Sequence, residues 1–147
     1  MKKILPFLLF LIVLLSACAP AASQAVVEPS ASTTEVSSTP VLFQIIKPDG
    51  TTFDVTLDAV KALPLAALTT EGKVEEGPYL SDVLALAGIT EFTEVTLTGS
   101  SNPVTLTFEQ VDENTILDFN NHGTMKLSST YVPKAEWTKD VAQITVK

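Results

Sequence analysis

Gly77-Pro78-Tyr79-Leu80-Ser81-Asp82-Val83-Leu84-Ala85-Leu86-Ala87-Gly88-Ile89 is the stretch whose reading decides the fold. Leu80, Val83, Leu84 and Ala87 recur at i, i+3, i+4 and i+7, so a helix here has one apolar face. Ser81 is placed to accept a backbone N–H as N-cap, and Asp82 puts a negative charge where the helix dipole favours one. Gly88 stands where a left-handed residue ends a helix. No other segment after the leader has a helical pattern with both ends marked. The spacing predicts a helix that closes a small β-rich core.

Outward from that helix the chain reads as strand and turn. Val41 to Lys47 has the β-branched and aromatic content of a strand. Pro48-Asp49-Gly50 is a turn, and Thr51 to Thr56 returns from it with Phe53 and Val55 on one face. Leu57 to Leu63 is a short helix stopped by Pro64. Leu65 to Thr70 is extended, and Glu71 to Pro78 reads as a charged loop leading into the main helix. Beyond Ile89, Glu94–Thr98 and Val104–Phe108 alternate apolar and polar residues with the period of half-buried strands. The turn-rich Gly99 to Pro103 joins them, and Glu109 to Asn114 is a polar turn or one helical turn. Thr115–Phe119 and Lys126–Val132 flank a turn at Asn120 to Gly123, and Val141 to Val146 is the last strand. This order predicts an α+β domain, mainly β, with mixed or antiparallel sheets and two short helices.

The opposite end of the chain carries an address. Met1-Lys2-Lys3 is positive, and Ile4 to Leu15 is apolar but shorter than the about 20 residues that a spanning helix needs. Leu15-Ser16-Ala17-Cys18 follows at once. Small residues before a cysteine at this place resemble the lipobox of bacterial lipoproteins, which implies cleavage before Cys18 and lipidation of its thiol. The expected organisation is a signal peptide over 1–17, a lipid anchor and disordered linker over 18–40, and a domain over 41–147. The protein is then held at the cell membrane by its lipid, facing away from the cytoplasm, on the outer membrane if the cell has one. An ordinary signal peptide cut after Ala17 or Ala19 is the alternative. Stable anchoring needs two or more acyl chains at about 0.8 kcal/mol per buried CH2. Residues 19–40 are mostly Ala, Ser, Pro, Thr and Val, with no aromatic residue and no periodicity, so they cannot offset the entropy of ordering. Such a linker spans about 25 Å on average.

Charge excludes several functions. The chain has nine lysines, no arginine and 17 acidic residues. Loss of Lys2 and Lys3 with the leader takes the formal charge from −8 to −10. An acidic, arginine-free surface argues against nucleic acid and anionic headgroups as ligands, and the fork that clamps phosphate is missing. Cys18 is the one cysteine, so the domain has neither a disulfide nor a thiolate for a metal.

The catalytic constellations are thin. His122, the one histidine, lies among Asn120, Asn121 and Gly123 without the spacing of a metal loop, and reads as a turn residue. No Gly-x-Ser-x-Gly elbow accompanies it. Glu71, Glu75 and Glu76 crowd one segment; crowded carboxylates can do acid–base work, but a solvated charged face is the simpler reading. Trp137, Tyr79 and Tyr131 can line a pocket, although aromatic residues of a small domain usually pack in its core.

The order of elements resembles the oxidoreductase molybdopterin-binding domain of the sulfite oxidase family, in a small stand-alone form. The resemblance runs from Phe43 to Val146. It rests on the Pro-Asp-Gly hairpin, the helix ending in Leu63-Pro64, the Gly77-x-x-Leu80-x-Asp82-x-Leu84 block with Ala87-Gly88, and Trp137-Thr138-Lys139 before the last strand. It implies the sulfite oxidase-like molybdopterin-binding fold. It also implies a molybdenum ligand, a cysteine in the loop before Gly77, where this chain has Thr69-Thr70-Glu71-Gly72. Glu76 replaces the aromatic residue that the family tends to place before the glycine. No ligand residue carries over, and no cofactor is expected, molybdopterin being suggested by the resemblance alone. The candidate ligand-facing loop is Thr69, Thr70, Glu71 and Glu76. The expected function is binding of a partner protein or small ligand outside the membrane, without molybdenum catalysis. The alternatives are an oxidoreductase that holds a pterin without the cysteine, or an accessory subunit of a membrane redox complex.

Overall fold

The computed structural model describes residues 39–147; the leader, Cys18 and the linker up to residue 38 lie outside the described residues. Within them, β1 (Val41–Ile46) and β2 (Thr52–Thr56) form the opening hairpin around Pro48-Asp49-Gly50. Helix α1 (Leu57–Lys61) follows directly, with the Thr56 hydroxyl accepting from the Ala59 N–H as N-cap. Strands β3 (Ala66–Thr70) and β4 (Lys73–Gly77) make a second hairpin, and helix α2 (Leu80–Leu86) comes next. Then come β5 (Glu94–Thr98), β6 (Val104–Thr107), β7 (Thr115–Phe119), β8 (Met125–Ser129) and β9 (Gln143–Val146).

The main sheet has the order β2-β1-β9-β5-β6. Its one parallel pair is β1 with β9; the other neighbours are antiparallel. The hairpins β3–β4 and β7–β8 stand as separate two-stranded sheets. The fold is therefore mainly β, with mixed and antiparallel sheets and two short α-helices, as the sequence order predicts. Phe43 and Ile45 of β1, Val95 and Leu97 of β5, Leu106 of β6 and Ile144 of β9 share the core with Leu117 and Leu127 from the second layer of strands.

Helix α2 buries the expected face: Leu80, Val83 and Leu84 are wholly buried and Ala87 nearly so. Full burial of each leucine or valine contributes about 1.5–3 kcal/mol. The C-terminus also follows the sequence. Gly88 has φ +74°, its N–H reaches the Ala85 carbonyl at 2.9 Å, and the Ile89 N–H reaches Leu84 at 3.2 Å, a Schellman stop.

The N-terminus differs from the expectation. The helix begins at Leu80, Tyr79 is the N-cap without a side-chain bond, and Ser81 is an exposed residue within the first turn. Tertiary pairing decides this. Pro78 accepts from the Leu117 N–H at 2.9 Å and Tyr79 bridges Ile116, so β7 carries the chain in an extended form up to Tyr79. Gly77 makes the approach possible. A Cβ there would sit 1.9 Å from the Leu117 carbonyl oxygen, so only glycine fits.

The expected charged loop over Glu71 to Pro78 is mostly strand β4. Only Glu71 and Gly72 turn, both at positive φ (46° and 79°), the backbone of a two-residue hairpin turn. Strand β8 ends at Ser129, short of the expected Val132, because the chain turns toward Pro133 and a 3-10 turn at Lys134–Glu136.

Candidate functional site

A cleft of about 520 Å³ opens between the tip of the β3–β4 hairpin and the segment that leaves β8. Thr69, Thr70 and Glu71 form one wall, and Ser129 to Lys134 with Trp137 form the other. The second wall is held by its own side chains. The Trp137 indole N–H donates to the carbonyls of Ser129 at 3.1 Å and Val132 at 3.0 Å. The Ser129 hydroxyl shares a 2.9 Å hydrogen bond with Thr115 and accepts from the Tyr131 N–H at 3.2 Å. The Tyr131 phenol donates to Asp112 at 2.6 Å, which raises the phenol pKa and fixes the ring at the rim.

An ionic cluster adjoins the cleft through Lys134 and Trp137. Strand alternation turns Glu75 inward from β4, where its side chain is 2 % exposed. The Lys126 ammonium lies 2.9 Å from both Glu75 and Asp118. Lys73 approaches Glu75 at 3.2 Å and Lys134 at 3.6 Å. The ammonium groups of Lys126 and Lys134 also stand 5.8 Å and 5.6 Å from the Trp137 ring centre, within cation–π range. Burial pushes the Glu75 carboxyl up, but its contacts with Asp118, Lys126 and Lys73 outweigh that and hold it down at about 2. Asp118 moves the other way, raised by burial and by the neighbouring Glu75 against the pull of Lys126.

Of the sequence candidates, Thr69, Thr70 and Glu71 line the cleft together. Glu76 does not; it is exposed on the face of β4 opposite Glu75. The reading of Glu75 as part of a solvated face is thereby corrected. Tyr131 lines the cleft while 42 % exposed, Trp137 lines it while buried, and Tyr79 lies elsewhere at the start of α2. His122 is exposed in its turn, its N–H bonded to the Asn120 side chain at 2.9 Å. The sequence reading missed Lys126 and Lys134. Its nearest signal was Lys73-Val74-Glu75-Glu76, whose alternation places Glu75 and Glu76 on opposite faces of a strand.

Three buried polar atoms have no hydrogen-bond partner among the described residues: Thr70 Oγ1, Glu75 Oε1 and Ser128 Oγ. Glu75 Oε1 has the Lys73 ammonium nearby. Thr70 lines the cleft. Among the described residues, no three His, Cys, Asp or Glu side chains gather as a metal site.

No family model matches the chain, and no curated protein sequence matches it. A solved structure does: the crystal structure of the sulfane dehydrogenase SoxCD from Paracoccus pantotrophus, with a TM-score of 0.53 and 18% sequence identity. The match covers 76% of this chain and 39% of that one, so this chain spans well under half of its neighbour. At that identity the likeness concerns the fold, which is sulfite oxidase-like.

A thiolate-held molybdenum does not fit the residues of the cleft. The oxygen donors that the hairpin tip offers are the Thr69 and Thr70 hydroxyls and the Glu71 carboxylate. Hydroxyls stay protonated at neutral pH and suit a soft-ligand site poorly. The one thiol of the chain, Cys18, precedes the domain.

Proposed function

We propose that this protein is an extracytoplasmic lipoprotein, held at the membrane through Cys18, whose domain binds a small ligand in the Thr69–Trp137 cleft without molybdenum catalysis. One observation carries the ligand reading. Thr70 is more than nine-tenths buried on the cleft wall, and its hydroxyl has no hydrogen-bond partner among the described residues. An unsatisfied buried hydroxyl costs about 1–3 kcal/mol, which a bound acceptor or donor would offset. The positive start, apolar run and Leu15-Ser16-Ala17-Cys18 support the anchor. Among the described residues, no helix is long and apolar enough to cross a membrane.

The test is to produce the full chain in a host that makes molybdopterin, then measure molybdenum and pterin fluorescence per protein. Both should stay far below one equivalent. Near-equimolar pterin would overturn the reading in favour of an oxidoreductase or an accessory subunit of a membrane redox complex.

A further inference from the structure

Building on the cleft reading, we propose that the ligand is a small organic monocarboxylate. Its acid group is taken by the Lys134 ammonium and the Thr70 hydroxyl, and its apolar body lies against Tyr131, Val132 and Pro133.

The charge argument starts from the cations beside the cleft. Lys126 is committed, at 2.9 Å from both Glu75 and Asp118. Lys73 serves Glu75 at 3.2 Å. Lys134 reaches Glu75 only at 3.6 Å, lines the cleft and remains 36 % exposed. An ammonium has three donors and no acceptor, so it calls for an oxygen-bearing anion. Thr70 lines the same cleft and adds a buried hydroxyl with no hydrogen-bond partner among the described residues.

The rest of the molecule limits how much charge the ligand carries. Glu71 stands on the opposite wall, and the chain is strongly acidic. With no arginine to form a fork, a dianion such as phosphate faces repulsion without bidentate compensation. One negative charge suits Lys134, the one of the three lysines around Glu75 that lines the cleft. A neutral polyhydroxy ligand would use the hydroxyls but leave Lys134 with only its 3.6 Å contact to Glu75 and the Trp137 ring. The same wall is apolar at Val132 and Pro133, and the Tyr131 ring is pinned at the rim through Asp112. A volume of about 520 Å³ lies in the range of small-molecule sites, about 300–1,000 Å³.

Trp137, the one tryptophan of the chain, lines this cleft and reports on it. The full chain in neutral-detergent micelles would be titrated with phenylacetate and 4-methylpentanoate, then with the matching amides, and followed by Trp137 fluorescence and calorimetry. The acids should bind at least about tenfold more tightly than the amides. Lys134→Gln and Thr70→Val should each weaken the acids by about tenfold, and Lys134→Arg should restore most of the affinity. Urea melts would check that the variants fold; the acid–amide comparison on the unaltered protein needs no variant. Equal binding of acids and amides would overturn the carboxylate assignment while leaving the cleft as a ligand site. Indifference of the acids to Lys134→Gln in a folded variant would overturn it too. If neither series saturates by about 10 mM, both the carboxylate and the cleft reading fall.

Discussion

Lys126 reaches across 51 residues of sequence to donate to the Glu75 carboxylate at 2.9 Å, and it binds Asp118 at the same distance. One ammonium therefore ties β4 to the β7–β8 hairpin at a place where the three side chains are largely withdrawn from water. Removing one partner of such a cluster leaves an uncompensated buried charge, which costs about 3–5 kcal/mol. Lys126→Met should fall toward the lower end, because Lys73 and Lys134 still face Glu75. The double variant Glu75→Leu with Lys126→Met should be more stable than Lys126→Met alone. Urea unfolding of the three proteins gives the comparison; a double variant that is less stable than the single would refute the account.

The same cluster explains why part of the site was illegible in the sequence. Helix α2 could be read because its signals are local: an apolar stripe at helical spacing and a glycine at its end. Glu75 could not, because two adjacent glutamates in a run of charge look like a solvated loop until a partner strand is known. The lysine that neutralises Glu75 stands in a different hairpin, beyond the reach of any local pattern. Ser81 misled for a related reason. Its type and position suit an N-cap, but the pairing of Pro78 and Tyr79 with β7 starts the helix two residues earlier than a Ser81 cap allows. The resemblance points to the loop before Gly77, and Thr69, Thr70 and Glu71 of that stretch line the cleft, whereas Glu76 lies on the face of β4 opposite Glu75.

Gly77 should tolerate no side chain. Gly77→Ala puts a methyl carbon 1.9 Å from the Leu117 carbonyl oxygen, and the obstacle is backbone rather than a side chain that can swing aside. Overpacking of this kind costs about 1–3 kcal/mol and more where the backbone has to shift. The variant should lose at least about 3 kcal/mol in urea melts, more than a helix propensity or turn effect would give.

Leu84→Ala in α2 should destabilise the domain by about 2–5 kcal/mol, since Leu84 is wholly buried in the core. Asp82→Ala removes only a favourable first-turn charge, a loss of about 0.3–1 kcal/mol. Similar losses at the two positions, measured in the same urea series, would contradict the packing of this helix.

Asp140 sets part of the response to acid. It sits at φ +49° and accepts from Ser100 at 2.5 Å, Thr124 at 2.5 Å and Asn120 at 2.8 Å, joining two turns to the approach of β9. The bonds from Ser100, Thr124 and Asn120 lower its pKa from 3.8 to about 2. A carboxylate with a depressed folded pKa contributes stability above its unfolded value, and that contribution is lost as pH falls through the folded one. Glu75 acts in the same direction from 4.5 toward about 2, while the raised pKa of Asp118 works against both. The urea midpoint of the unaltered protein should drop between about pH 4.5 and pH 2. Asp140→Asn should lower the midpoint at pH 7 and flatten the acid limb; an unchanged acid limb would remove Asp140 from this role.

The anchor is open to a separate test. If cleavage before Cys18 removes the leader, the lipid on that residue is what retains the protein at the membrane. Cys18→Ser should then leave the precursor unprocessed or release the protein into the aqueous phase. Detergent-phase partitioning and intact mass of the two proteins decide the matter. The unaltered chain should enter the detergent phase and carry a diacylglycerol-sized mass at its first residue, whereas the variant should carry none. A single acyl chain holds a protein only marginally, so the added mass should correspond to at least two chains. Equal partitioning, with no acyl mass on the unaltered protein, would replace the lipid anchor by an ordinary cleaved leader after Ala17 or Ala19. The domain would then be a released protein, with its cleft free in the extracytoplasmic medium rather than held about 25 Å from a membrane.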